Sequence, residues 1–361
     1  MPSSTAWLSS APATACSADA AAGDAPWQPA ALNAGHIYRD RVREPAASAL
    51  AFYASRYPHS DQAVWAERLA AGEIRCNGRR LRADGPLVPG DRLTWHRPPW
   101  QEAAVPVLQE RAIVFDDGDL LVLNKPSGLP VLPAGGFLAH TLLAQLEGWA
   151  GSGRPRPVHR LGRFTSGLLV CARSSASRAW LSALLRESSG RCDAPAPSAS
   201  PVGCHKLYRA LTTSLPADWA IGESRLLATP IARRAHGRLG QIWCAAAPDD
   251  PSALSAHSTL TLLERRPGSC LVAVAIATGR PHQIRIHTAA LGAPLLGDPL
   301  YRAGGRAEAG ALPGEGGYAL HAHRLRLLRP DGGCLELEAP LPPLLQGGPP
   351  LASGLLEGQQ A

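Results

Sequence analysis

Lysine is almost missing from this chain. Only Lys125 and Lys206 are lysine among its 36 basic residues; all the others are arginine. No apolar run approaches the roughly 18 residues of a membrane span, so we expect a soluble protein. The 8 cysteines include no CxxC pair and no cluster with histidine at zinc-ligand spacing, so a structural zinc site is not expected. Cys171, Cys244 and Cys270 stand in apolar runs, which predicts small core residues in a reducing compartment.

The charge balance permits a nucleic-acid partner without establishing one. The net charge is +7, which is a modest excess, and arginine supplies nearly all of the positive charge. The planar guanidinium fits a phosphate group bidentately and can stack on bases. A GC-rich genome would enrich arginine, alanine, glycine and proline in the same way, so this reading stays open. The length of 361 residues predicts about two domains plus tails.

The first third of the chain divides into a tail, a small module and a linker. Residues 1–34 are rich in Ala, Ser and Pro and precede the first basic residue, Arg39, so they predict a disordered or targeting tail and leave the compartment open, cytoplasmic or organellar. Residues 36–97 predict an α+β module with a helix and an Asn77-Gly78 hairpin; a merely solvated charged hairpin is the alternative. Residues 98–109 are a proline-punctuated linker. The basic side chains of the module that we expect to contact RNA are Arg75, Arg79 and Arg80.

Residues 110–345 predict the main domain. Strand-like runs outnumber helices there and do not alternate with them, which predicts an α+β fold with a mixed, mainly antiparallel sheet. Two Gly- and Ser-rich or Ala-rich stretches predict flexible insertions at 188–203 and 302–317, and 346–361 forms a tail. The expected elements are a hairpin turning at Asp117-Gly118, helices at 138–149 and 175–187, and strands at 166–172, 206–214, 258–266 and 270–279.

Two basic segments stand out, VHRLGRFTSGLLV (158–170) and TGRPHQIRIH (278–287). The first puts Gly162 on a loop before a buried strand, a usual place for a functional site. The second predicts a helix with Pro281 in its first position, so that His282 and Arg285 share a face and the free N–H groups can meet a phosphate. An incidental surface turn and an ordinary helix start are the bland alternatives.

These segments carry a resemblance to a known family. HRLGRFTSGLLV resembles HRLDxxTSGLLL, the central motif of the RluA-type RNA pseudouridine synthases, and the resemblance spans roughly residues 110–345. The 36–97 module resembles the S4-like RNA-binding module that often precedes this catalytic domain. The other motifs occur in the family's order: DDGDLLVLNKPSGLPV (116–131), KLYRAL (206–211), TGRPHQIRIHTAALGAPLLGDPLY (278–301), LHAHRL (320–325) and APLPPLL (339–345).

The resemblance implies an isomerase that converts uridine in RNA to pseudouridine, with no cofactor and no metal. The target nucleotide must leave the base stack, and RNA is the implied partner; we expect a monomer that does not bind a membrane. Tyr208 matches the family's active-site tyrosine, which stacks on uracil, and Arg285 matches the arginine that pairs with the catalytic carboxylate. The residues that match RNA contacts or loop organisers are His159, Arg160, Arg163, Lys125, Arg280 and His282.

Gly162 departs from the family pattern, because the catalytic aspartate is expected at this position. A glycine supplies neither a nucleophile nor a base. An active enzyme could take a carboxylate from elsewhere, the chain could be a silent RNA-binding relative, or it could belong to an HRLGR variant group. Without the aspartate, Arg285 should need another anion, a wetter pocket or an RNA phosphate. A hydrolase using Ser166 has no GxSxG elbow. The carboxylates to consider are Asp116, Asp117, Asp119 and Asp298, of which the last appears structural.

Overall fold

The computed structural model describes residues 26–149, 153–190 and 203–348. Its helices are α1 Ala49–Arg56, α2 Gln62–Ala70, α3 Leu142–Glu147, α4 Ser175–Gly190 and α5 Gln283–Ala290. Its strands are β1 Trp27–Gln28, β2 Ala31–Leu32, β3 His36–Arg41, β4 Ile74–Cys76, β5 Arg79–Arg80, β6 Arg92–Arg97, β7 Gln101–Glu102, β8 Val105–Pro106, β9 Ile113–Asp116, β10 Leu120–Lys125, β11 Arg156–Pro157, β12 Thr165–Ala172, β13 Cys204–Thr212, β14 Ser224–Leu227, β15 Ile231–His236, β16 Gly240–Ala245, β17 Ser258–Arg266, β18 Ser269–Ile276, β19 Tyr301–Arg302, β20 Arg306–Ala307, β21 Leu320–Leu328 and β22 Cys334–Glu338.

A 10-stranded sheet organises the main domain. Eight of its strands follow the order β14-β17-β18-β13-β21-β12-β10-β9, while β11 pairs with β12 and β22 pairs with β21. Every pairing in it is antiparallel except that of β12 with β21. The predicted α+β fold with a mixed, mainly antiparallel sheet is therefore confirmed.

Strand β12 lies in the middle of this sheet and is buried along its whole length. All eight of its residues are buried, because both faces of the sheet are covered. Residues 168–172 all belong to the largest core cluster, which also includes Leu146 of α3, Leu181 of α4 and Ile284 of α5. Elsewhere on the sheet, a smaller cluster joins β13, β17 and β18 to Leu345. The continuous apolar run of the central motif is thus what a strand covered on both faces requires. Cys171, Cys244 and Cys270 are buried core residues, as predicted.

The four-stranded sheet of the N-terminal module, in the order β3-β6-β4-β5, has a core of its own. Its inner face packs on α1 and α2, where the Trp65 ring stacks on Tyr53 with a centroid distance of 4.4 Å. Helix α2 begins at an Asp61 cap, whose side chain accepts a hydrogen bond from the Val64 N–H. The predicted Asn77-Gly78 turn joins β4 to β5, and both of its residues have positive φ, as a tight hairpin turn requires.

The segment before the module is paired with the linker after it. Strand β1 pairs with β8, and β2 pairs with β7. The prediction of a disordered or targeting tail is therefore wrong for residues 27–32, while residues 1–25 lie outside the described part of the chain. The buried Glu102 fastens the linker: its carboxylate accepts hydrogen bonds from the Asn33 side chain and from the backbone N–H groups of residues 138, 139 and 140.

Several element boundaries differ from those predicted. Helix α3 covers only part of 138–149, because Thr141 caps its start, accepting from the Ala144 N–H at 3.2 Å. Helix α4 continues to Gly190, into the predicted insertion 188–203, of which residues 191–202 lie outside the described ranges. The stretch 302–317 is not all loop, since β20 pairs with β19. Within the described residues, no helix combines the length and apolar composition needed to span a bilayer.

Replacing the linker carboxylate should weaken the fold in a pH-dependent way. Burial works against the charged form of Glu102, but four hydrogen-bond donors outweigh it and lower the pKa of this carboxyl. Because the pKa is lower in the folded state, the stabilisation is complete above the unfolded value near 4.5 and is lost as the pH falls through the folded value. We expect Glu102→Gln to lower the free energy of unfolding by about 2 kcal/mol at pH 7.

Urea unfolding of wild type and Glu102→Gln between pH 3 and pH 8 measures this effect. The difference should shrink below about pH 4.5, where the Glu102 carboxyl of the unfolded chain becomes protonated before that of the folded protein. The exposed Glu110→Gln is the matched control and should change stability by less than about 0.5 kcal/mol. An equal difference at pH 3 and pH 7 would contradict the assigned role of the charge.

Candidate active site

Helix α5 starts two residues later than predicted, and the reason lies in the Gln283 side chain. Its Oε1 accepts hydrogen bonds from the Thr278 hydroxyl at 2.7 Å and from the Arg280 N–H at 3.1 Å, while its Nε2 donates to the His257 carbonyl. His282 is the N-cap in the left-handed region, with φ of 58°. The prediction that His282 and Arg285 share a helix face is therefore wrong.

Arg285 is buried and already paired. Its Nε donates to Asp298 Oδ2 at 2.7 Å and its Nη2 donates to Oδ1 at 2.8 Å, and the two side chains are 3% and 0% exposed. Burial works against the charged form, but the Asp298 carboxylate raises the pKa of Arg285 above its ordinary value. Of the three alternatives predicted for Arg285, another anion is confirmed, because Asp298 pairs with its guanidinium.

Asp298 is in turn held by the backbone. Its Oδ1 also accepts from the N–H groups of Leu300 at 2.9 Å and Tyr301 at 3.3 Å. The guanidinium of Arg285 lies between two aromatic rings, 4.2 Å from the centroid of Tyr318 and 5.1 Å from that of Tyr301. Tyr318 connects this pair to the loop that carries Gly162, because its ring packs on Arg285 and its hydroxyl lies next to Gly162.

The loop before β12 turns tightly at Gly162. The Thr165 N–H donates to the Gly162 carbonyl at 3.1 Å, which closes a turn of four residues. Gly162 itself is exposed, but a Cβ placed on it would overlap the Oη of Tyr318 and would lie 3.2 Å from Thr165 Oγ1. Tyr318 was not among the predicted site residues. The sequence points to Tyr318 only indirectly. Position 162 has no side chain, so another residue must fill the space that a side chain there would occupy.

Three of the four candidate carboxylates lie far from this loop. Asp116 pairs with Arg173, Asp117 pairs with Arg329, and Asp119 accepts from the Ser174 and Ser177 side chains. They surround the β9–β10 turn, where Leu120 is opposite Ala172, at the other end of β12 from Thr165. Seven residues of strand separate those ends, or roughly 23 Å. The hypothesis that one of these three supplies the missing carboxylate is wrong.

Tyr208 occupies the middle of β13, opposite Ala322 on one side and Val274 on the other. It lines a small cleft with His159, Lys206 and Arg324 among its polar walls. Burial raises the pKa of the Tyr208 phenol, so this group is neutral. Leu168, Tyr208 and Ile284 belong to one core cluster, so the motifs at 158–170, 206–211 and 278–301 meet in one core.

Two residues that were predicted to contact RNA donate hydrogen bonds to loop carbonyls. Lys125 is fully buried, and its Nζ donates to the carbonyls of Pro126, Leu129 and Arg163 at 2.9, 2.8 and 3.0 Å. Burial, with the nearby Arg163, lowers the pKa of Lys125 to about 7. Arg163 donates to the carbonyls of Gly128 and Gly314 and packs over two phenylalanine rings. Lys125 is therefore a loop organiser and an RNA contact is wrong for it, because it is buried and its three donors are used. Arg163 also organises loops, and its RNA contact stays a prediction.

The two predicted histidine contacts are also internal. His159 Nε2 accepts from the Val170 N–H at 3.0 Å, and burial, with Lys206 nearby, lowers its pKa to about 3. Tyr301 donates its one hydroxyl hydrogen to the Trp243 carbonyl, so His282 Nδ1 must be the donor in its 2.7 Å contact with Tyr301 Oη. Burial, with the nearby Arg285, lowers the pKa of His282 to about 3. Both imidazoles are neutral loop organisers.

Comparison with known proteins identifies the family. Residues 119–290 match the family model described as RNA pseudouridylate synthase. The chain is 40% identical over 302 residues to an uncharacterized RNA pseudouridine synthase of Synechocystis, covering 82% of this chain and 94% of the relative. It is 36% identical to RNA pseudouridine synthase 5 of Arabidopsis thaliana, covering 89% and 96%. The chain belongs to the RNA pseudouridine synthase family.

This membership makes the protein an isomerase and confirms the resemblance to the RluA type. Among solved structures, human RNA pseudouridylate synthase domain containing 4 aligns with 65% of this chain and 90% of its own, at 23% identity and a TM-score of 0.48. The candidate site of the protein consists of Tyr208, the Arg285–Asp298 pair and the Gly162 loop.

The exposed arginines of the synthase remain predicted RNA contacts. Arg160 is exposed, and its charge acts on His282, so the two basic segments of the sequence lie side by side in the fold. Arg280 is half-buried and donates from Nε to the Ser255 carbonyl at 3.0 Å, which leaves its terminal nitrogens for other contacts. Arg75, Arg79 and Arg80 are exposed on the N-terminal module.

Neutralising Asp298 should destabilise the synthase strongly. Asp298→Asn leaves the guanidinium of Arg285 buried without a counter-charge, and we expect the free energy of unfolding to fall by about 3–5 kcal/mol. Asp218→Asn breaks the exposed ion pair with Arg225 and is the matched control, with an expected loss below about 1 kcal/mol. Chemical denaturation of the three proteins measures both values. Equal effects from the two variants would contradict a buried, unreplaceable pair.

Proposed function

We propose that the protein converts uridine to pseudouridine in structured RNA, ribosomal or transfer, and that it binds the target base in the Tyr208 cleft. One observation carries this proposal: motifs that are scattered from residue 116 to residue 345 converge on one sheet. There Tyr208, Leu161 beside Gly162, and Ile284 beside Arg285 belong to one core cluster. The family relationship supplies the reaction class, and this convergence supports the proposed position of the site.

The proposed reaction moves the ribose from N1 to C5 of the same base. The C1′–N1 bond breaks, the free uracil turns, and a C1′–C5 bond forms, so no atom is gained or lost overall. The nucleotide must leave its stack first, at a cost of a few kcal/mol. An aromatic side chain such as Tyr208 offsets this by stacking on the extruded base, a contact that contributes about 1–3 kcal/mol.

Arg285 has a fixed electrostatic role in this proposal. Two bonds to Asp298 and two flanking rings hold the guanidinium in one position, so it presents a permanent positive charge without rearranging. Charge placed in advance in a water-poor site stabilises negative charge that develops during a reaction. Arg160 at the exposed end of the same region suits a backbone phosphate of the RNA.

We also propose that the N-terminal module is S4-like and binds RNA. On the face of its sheet turned away from the helices, Arg39, Thr94, Arg75 and Arg80 lie opposite one another in a single row across the four strands. Like charges facing each other across strands are unfavourable by themselves. Such a row is stabilised when it meets a polyanion, and it gives the synthase a second contact with its substrate.

Mapping pseudouridine in total RNA from cells with and without the protein tests the activity and names the substrate. We expect specific uridine positions to lose their modification when the protein is absent and to regain it when purified protein is added. A modification map that is identical in both cells, together with tight RNA binding, would overturn the enzyme assignment in favour of a silent RNA-binding relative.

The basic module is tested by salt. Each phosphate contact lowers the slope of log affinity against log salt by about 0.9 on duplex nucleic acid. Replacing Arg75, Arg79 and Arg80 by serine should therefore weaken binding to structured RNA and reduce the slope by roughly 2–3.

A matched triple variant controls for net charge. Arg225, Arg238 and Arg302 form exposed ion pairs on the main domain, so their replacement by serine removes the same charge elsewhere. This control should leave the salt slope within roughly one of wild type, because each removed charge is already paired with a carboxylate. Equal losses of slope in both triple variants would argue against a specific contact.

A further inference from the structure

The proposed reaction lacks an attacking group at the position where the family pattern puts one. Gly162 has no side chain, and the three carboxylates near the β9–β10 turn lie at the far end of β12. Asp298 cannot replace the missing group. Both of its oxygens accept from Arg285, and Oδ1 accepts two further backbone N–H groups. The following inference rests on the proposed function, because it concerns the same reaction.

The space next to Gly162 belongs to Tyr318. A Cβ on residue 162 would overlap the Tyr318 Oη and would lie 3.5 Å from its Cζ, so the phenol oxygen stands where a side chain at 162 would begin. Thr165 Oγ1 is 3.3 Å from the same oxygen and can accept a hydrogen bond from it or donate one to it. The tyrosine is 4% exposed, but Gly162 directly in front of its hydroxyl is exposed.

The surroundings of Tyr318 suit a reacting oxygen. The Arg285 guanidinium lies 4.2 Å from the ring centroid, and Asp298 keeps that cation in place. A fixed cation at this distance stabilises negative charge that develops on the phenol oxygen. Tyr318 also shares its core cluster with Tyr208, whose ring faces the cleft where the base is proposed to stack.

We propose that the Tyr318 hydroxyl replaces the missing carboxylate and is the nucleophile of the isomerisation. The phenol oxygen bonds to C1′ of the extruded nucleotide as the C1′–N1 bond breaks. The electron pair of that bond goes to the uracil, and N1 takes the phenol proton, so free uracil and a tyrosyl–ribose ether result. After the base turns, C5 attacks C1′ and the ether bond breaks toward oxygen. The phenolate then takes the proton from C5, which restores Tyr318 and leaves the new N1–H on the product.

Four proteins test the proposal: wild type, Tyr318→Phe, Gly162→Asp and Gly162→Asp/Tyr318→Phe. Each is assayed for uridine isomerisation on an RNA that wild type modifies, for RNA affinity, and for folding by thermal denaturation. Tyr318→Phe removes only the hydroxyl, so we expect the rate to fall by at least about 100-fold while RNA affinity changes less than about threefold. The buried Tyr53→Phe, whose hydroxyl has no hydrogen-bond partner, is the matched control and should keep the wild-type rate.

The double variant separates a reacting hydroxyl from one that only fills space. In Gly162→Asp alone, the new Cβ collides with Tyr318 Oη, so we expect low activity. In the double variant the hydroxyl is gone, and the new Cβ meets only the ring carbon at 3.5 Å and Thr165 Oγ1 at 3.2 Å. A carboxylate then stands beside the position of the lost hydroxyl, and the rate should rise at least about 10-fold over Tyr318→Phe.

The outcomes decide between the hypotheses. Loss in Tyr318→Phe with recovery in the double variant supports the proposal. A folded Tyr318→Phe that keeps the wild-type rate overturns it while leaving the proposed function intact. An inactive wild type together with an active double variant also overturns it, because Tyr318 would then occupy the site without reacting. If all four proteins are inactive on every RNA tested, the proposed function itself fails.

Discussion

The buried ion pair between Arg285 and Asp298 is the interaction on which the rest of the site depends. It joins α5 to the start of β19, and Asp298 simultaneously fixes two backbone N–H groups. A buried ion pair does not by itself imply high stability, since desolvation offsets much of the attraction. Its contribution here is positional. The pair holds the guanidinium in a fixed orientation, and Tyr301 and Tyr318 pack against it. The Tyr318 hydroxyl then lies next to Gly162.

The strands of the sheet that contain a buried apolar run could be predicted from the sequence. Strands β12 and β17 were predicted almost to the residue, because an apolar run occupies the middle of each. The start of α5 was not, since His282 adopts a left-handed cap and the Gln283 side chain takes over the hydrogen bonds of the turn. That side chain also donates to the His257 carbonyl, which is distant in sequence. The Tyr318 hydroxyl was missed for the same reason, because 156 positions of numbering separate it from Gly162.

The basic residues of the central motifs show that a positive charge in the sequence does not imply a contact with RNA. Lys125 and Arg163 spend their donors on carbonyls of loops that would otherwise be buried without partners. The carbonyl groups of such loops have no neighbouring strand to bond with. A single cationic side chain with several N–H groups can donate a hydrogen bond to more than one of them. Motif positions that are rich in positive charge can therefore be the framework of an anion site, while neighbours such as Arg160 meet the anion.

The parallel pairing of β12 with β21 has a consequence for the timing of synthesis. It places Thr165 opposite Leu320, so the Gly162 turn and Tyr318 become neighbours only when nearly the whole domain is available. Contacts this distant in sequence form slowly, because a long loop must close before they contribute. On the ribosome, the nascent chain therefore presents its N-terminal arginines well before Gly162 and Tyr318 can meet. A chain that ends before residue 318 lacks the hydroxyl that lies next to Gly162.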